Sequence, residues 1–74
     1  MAAGYSIALL RKVKAADPKA IGVKLGRFCI NNDIPVAIVA EKFGVSRAAV
    51  YCWFAGDYVP NKAHHDRIIK FIGG

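Results

Sequence analysis

The sequence predicts a small all-α domain of four to five short helices. Three observations carry that prediction. Apolar residues recur at intervals of three and four, no strand-like alternation persists, and residues suited to helix starts punctuate the chain. Seventy-four residues suffice for one compact domain, which at this size buries roughly 60% of the surface of its unfolded chain. A hydrophobic fraction of 55% with eight aromatic residues is ample for a core and too apolar for a disordered tail.

Ser6 is placed to cap a first helix over about residues 6–16, with Ile7, Leu10 and Val13 at helical spacing and Arg11, Lys12 and Lys14 beside them. Asp17 and Pro18 form a cap and first-turn pair, starting a helix to about Asn32 whose Ile21, Leu25, Phe28 and Cys29 share one face. Gly22 and Gly26 lower helix propensity there but permit another helix to approach closely. The stretch NNDIP breaks the chain, and a short helix follows from about Pro35 to Lys42 with Val39 and Ala40 facing in. FGVS is a turn; Ser46 caps a helix over about Arg47–Ala55, which ends at Gly56. After the loop DYVPN, Asn61 caps a last helix from Lys62 to about Ile72, with Ile68, Ile69 and Ile72 as its apolar strip. The chain divides into a basic helical segment over residues 1–17 and a main unit over residues 18–74.

A net charge of +6 and a pI near 9.7 favour an anionic partner, either nucleic acid or a membrane surface. The excess is concentrated upstream: residues 1–27 hold six bases against Asp17, while residues 28–74 hold five bases against four acids. For any single lysine the plainer alternative is a solvated surface charge. No stretch approaches the ~20 apolar residues of a membrane span. The opening MAAGYSIALL lacks the cationic start and cleavage site of a secretory leader, so a cytoplasmic protein is expected.

The two helices around FGVS make specific geometric demands. A turn this short forces the helices to cross steeply, so only a small side chain fits where they meet, and Ala40 stands there. Gly44 stands where the chain reverses and a left-handed backbone is cheap only for glycine. Val39, Phe43, Val45, Val50 and Trp53 then fall on the inward faces.

Residues 36–56, VAIVAEKFGVSRAAVYCWFAG, resemble the helix-turn-helix of the phage Cro and CI repressor (lambda-repressor-like) family, whose members often read as a Gly-Val-Ser turn followed by Val, Trp and Gly at these spacings. The likeness extends over roughly residues 18–72. It implies a dimeric, four- or five-helix transcriptional regulator that binds double-stranded DNA with helix 46–55 in the major groove.

On that helix the outward residues near the amino end are Ser46, Arg47, Ala48, Tyr51 and Cys52. Arg47 is the side chain able to grip a guanine edge with two hydrogen bonds, the alternative being a solvated arginine. Ala48 can touch a thymine methyl. Tyr51 can reach a phosphate or a pyrimidine face, or pack at the domain rim. Arg47, Ala48 and Tyr51 are therefore the base-reading candidates, and Lys24, Arg27, Ser46 and Lys62 the phosphate-binding candidates. Asp57 stands just after the terminating glycine, where family members often carry a basic or polar residue, and Ala48 stands where a polar reader is usual. Both changes thin direct readout and shift weight to DNA shape, dimer spacing and phosphate clamps. They also support the alternative of a helix-turn-helix module that binds another protein, such as a repressor or a polymerase subunit.

Cys29, Cys52, His64 and His65 lack the close pairing of structural zinc ligands, so no metal is expected. Cys29 reads as buried packing, and the histidines as surface groups or phosphate neighbours. No catalytic constellation, cofactor motif or small-molecule site is apparent, and the protein is not expected to be an enzyme. A homodimer is expected, through the first segment (Ile7, Leu10, Val13) or, as favoured, the last helix (Ile68, Phe71, Ile72).

Overall fold

The computed structural model describes residues 6–73, and the first half of the MAAGYSIALL stretch, read for a leader, lies outside them. The described chain is all-helical: α1 (Ile7–Ala15), α2 (Ile21–Asn31), α3 (Val36–Phe43), α4 (Arg47–Ala55) and α5 (Lys62–Phe71). Helix α4 lies at the centre, packed against α1, α2 and α3, while α5 closes over α2.

Three helix starts follow one rule. Ser6, Ser46 and Asn61 each sit in extended backbone and accept a hydrogen bond from the amide three residues on: Leu9, Ala49 and His64, at 3.1, 3.1 and 3.0 Å. Each satisfies one of the amides that a helix start leaves without an internal partner. Ser46→Ala is expected to lower stability by about 1 kcal/mol. Urea unfolding followed by circular dichroism measures it, and an unchanged midpoint would contradict the cap.

Helix ends follow a second rule. Gly44 and Gly56 have φ of 67° and 79°, and the next amide in each case bonds back to a carbonyl five residues earlier: Val45 to Ala40 at 3.0 Å and Asp57 to Cys52 at 2.9 Å. Helix α2 closes the same way with an aspartate, Asp33, at φ 59°, and Ile34 bonds back to Cys29 at 2.8 Å. Aspartate is among the few non-glycine residues that enter this region readily.

The start of α2 departs from the sequence expectation. Asp17 accepts from the Lys19 amide at 2.9 Å, and the Ala20 amide bonds back to the Asp17 carbonyl at 3.1 Å. Asp-Pro thus forms a turn, with proline in its second position, and α2 begins only at Ile21.

The core contains Leu9, Val13, Val23, Leu25, Cys29, Val36, Val39, Ala40, Phe43, Val50, Trp53, Phe54 and Ile68. In α1 the inward face is Leu9 and Val13, four apart, with half-buried Ala16 following at the C-cap, whereas Ile7 is 69% exposed. The expected strip of α5 is also rotated: Ile68 is fully buried, Ile69 is exposed and Phe71 turns inward. Phe71 meets Phe28 and Phe43 edge-to-face, with centroids 5.8 and 5.6 Å apart, and Phe43 in turn meets Trp53 at 6.1 Å. Ile68 thus belongs to the protein's own core and partly buried Phe71 packs against it, so less of the last helix's apolar strip is open than its sequence suggests. Of the first-segment set, Val13 is likewise buried.

Cys29 is fully buried, and desolvation pushes its thiol up from 9.0 to about 12. The folded protein therefore holds this proton more tightly than the unfolded chain. Its contribution to stability is intact below about pH 9 and is lost as pH rises towards 12. Titration with a thiol reagent at pH 8 is expected to label half-buried Cys52 rapidly and Cys29 only on unfolding. Equal labelling rates would refute that burial.

Candidate functional site

Helix α4 has two faces of different character. Val50, Trp53 and Phe54 are buried on one, while Ser46, Arg47, Ala48 and Tyr51 are exposed on the other, with Tyr51 at 44%. Three constraints hold the outer face in position: the Ser46 cap, the left-handed glycines at both ends, and α2 behind. The last depends on Gly22 and Gly26. An added Cβ at Gly22 would collide with the Trp53 carbonyl oxygen and lie 2.9 Å from its carbon; one at Gly26 would lie 2.9 Å from Phe54 Cγ. The close approach expected from this glycine pair is therefore made against α4.

The base-reading candidates Arg47, Ala48 and Tyr51 thus share one exposed surface with Ser46. The Ser46 hydroxyl is already engaged at the Ala49 amide, leaving its own proton to donate. Arg47 makes no side-chain hydrogen bond within the described residues. The ion pair among those residues is His65 with Asp66 at 3.8 Å, so no described carboxylate neutralises a lysine or arginine. The outer face of α4 is a helix amino end carrying an unpaired guanidinium.

The phosphate candidates are not gathered into one patch. Lys24 borders a groove between α2 and α5 with Lys19, Val59, His65 and Ile69. Arg27, three residues on, borders a different groove, between α1 and α2, and its Nη2 donates to the Lys14 carbonyl at 3.3 Å. Lys62 is exposed in the first turn of α5, and Asp57 is exposed beyond α4.

Two features escape sequence reading. His64 is half-buried, its ring tilted 50° against Trp53 with centroids 5.2 Å apart, rather than a surface group. Arg67 lies 5.3 Å from the Phe43 ring centre and donates to the Lys42 carbonyl at 2.6 Å, while Lys42 lies over the Phe71 ring at 5.4 Å. These partners are 25 residues apart, and no local spacing announces them.

Among the described residues no group of three histidines, cysteines or acids is placed to hold a metal ion, and no helix is long and apolar enough to cross a membrane. Comparison with protein-family models, with curated proteins and with solved structures gives no match.

Proposed function

We propose that this protein is a sequence-specific, double-stranded DNA-binding transcriptional regulator of Cro/CI type, phage or bacterial, acting in the cytoplasm and carrying no enzymatic activity. The observation that supports this most is the outer face of α4, where Arg47, Ala48 and Tyr51 are exposed on a capped helix whose opposite face is locked in the core. In this reading α3 and α4 are the helix-turn-helix and α4 enters the major groove, whose width admits a helix. Arg47 reads a guanine, Ala48 meets a thymine methyl, and Tyr51 and Ser46 meet the backbone or a neighbouring base. Lys24, Arg27 and Lys62 supply phosphate contacts from the flanks.

Three reading residues per half-site make a thin surface, which a second copy related by two-fold symmetry would double. With Ile68 buried and Phe71 partly buried against the core, exposed Val59 and Ile69 are apolar side chains open to that contact.

A second reading, a helix-turn-helix module that binds another protein, is favoured by exposed Asp57 beside the helix and by the apolar Ala48 among its readers. Selection of bound sequences from random duplex DNA separates the two. DNA reading predicts an enriched site of two half-sites about one helical turn apart, and affinity that falls steeply with salt. Equal affinity for selected and scrambled duplexes would leave the protein-binding reading in place.

A further inference from the structure

We propose that the groove between α1 and α2 is a docking site for an acidic amphipathic helix of a partner protein. The groove, about 500 Å³ in volume, has an apolar floor formed by Ile7, Leu10, Val13 and Ile30. Ile7 is 69% exposed although it sits on a helix whose inward face is supplied by Leu9 and Val13, so the core does not account for it. Arg11, Lys14 and Arg27 form the rim, and neither α1 nor α2 contains an acid. Arg27 Nη2 donates from α2 to the Lys14 carbonyl of α1 at 3.3 Å.

Charge and shape together select the occupant. Three cations without a carboxylate call for an acidic partner, and the apolar floor calls for one with a hydrophobic stripe. The walls are helices of 9 and 11 residues, about 14–16 Å long, which matches two to three turns of a docked helix with apolar anchors at i, i+4 and i+7. A second copy of this groove would set like charges against one another. A flat bilayer would not fill a concave floor, and a DNA backbone would leave that floor empty. This inference concerns a different surface from the outer face of α4 and does not depend on DNA reading, although Arg27, proposed above as a phosphate contact, stands on the rim of this groove.

The test uses a stapled, fluorescently labelled helical peptide with leucines at i, i+4 and i+7 and glutamates elsewhere, beside a scrambled peptide of the same composition. The peptide is expected to bind at micromolar level, about tenfold or more tighter than the scrambled one. Ile7→Asp and Lys14→Glu should each weaken it about tenfold, and Lys14→Glu should improve binding of a peptide with lysine in place of glutamate. Both positions are exposed, and circular dichroism of the variants checks that the fold is kept. Equal binding of the scrambled peptide, indifference to Ile7→Asp, displacement by vesicles of anionic phospholipid, or binding of a short DNA duplex that Ile7→Asp weakens as much as it weakens the peptide would each overturn the proposal.

Discussion

Alanine at position 22 is expected to destabilise the protein by about 1–3 kcal/mol, even though alanine is the better helix former by about 1 kcal/mol. The two effects oppose each other, and the geometry decides. The added methyl would collide with the Trp53 carbonyl oxygen and lie 3.0 Å from the Trp53 Cα, so it meets backbone rather than the movable end of a side chain. Relief requires α2 and α4 to separate, and that loosens the contacts around fully buried Val23, Leu25 and Phe54. In a domain of this length, whose total stability is roughly 4–11 kcal/mol, the loss is a large fraction. Gly26→Ala meets the Phe54 ring at 2.9 Å and should act in the same direction. Urea denaturation of both variants gives the answer: a raised midpoint for Gly22→Ala would mean that propensity wins and that the helices are not in close contact.

If α4 reads DNA as proposed, Arg47→Ala is expected to weaken binding to the preferred site by about 1–3 kcal/mol and to relax the choice of base at one position in each half-site, with little loss on random DNA. Lys24→Ala should instead weaken binding to all sequences alike and reduce the salt slope by about one. The contrast follows from what the two contacts carry, since base contacts discriminate and phosphate contacts release counterions. Both side chains are exposed, so neither change should disturb the core. Titration of wild type and both variants against selected and scrambled duplexes at several salt concentrations measures this. If Arg47→Ala left every affinity unchanged, specific reading by α4 would be ruled out.

The parts of the fold legible in the sequence are those fixed within a few residues. Ser6, Ser46 and Asn61 announce helix starts because capping needs a short polar side chain and a neighbouring amide. Gly44 and Gly56 announce ends because φ is positive there. Asp17-Pro18 misleads for the same local reason: an aspartate that accepts from an amide two residues on, ahead of a proline, serves a turn as well as a helix start. Only the position of α2 against its neighbours distinguishes them. The assignment of Ile7, Leu9 and Leu10 to faces of α1, and of Ile69 and Phe71 to faces of α5, likewise depends on which helix lies opposite. At the candidate site, the exposure of Arg47, Ala48 and Tyr51 was readable because Val50, Trp53 and Phe54 define the opposite face. Lys24 and Arg27 were not separable from sequence, because two grooves diverge between them.

The division of α4 into a locked face and a free one separates two kinds of inherited change. Substitutions at 47, 48 and 51 alter what the helix presents without opening a void in the core, so the exposed surface can change while the fold is kept. Substitutions at 22, 26 or 54 have no such latitude, because a change on one side of the α2–α4 contact requires a matched change on the other. Variation among descendants of this chain should therefore concentrate on the outer face of one helix, and the pair of glycines behind it should be the slowest to change.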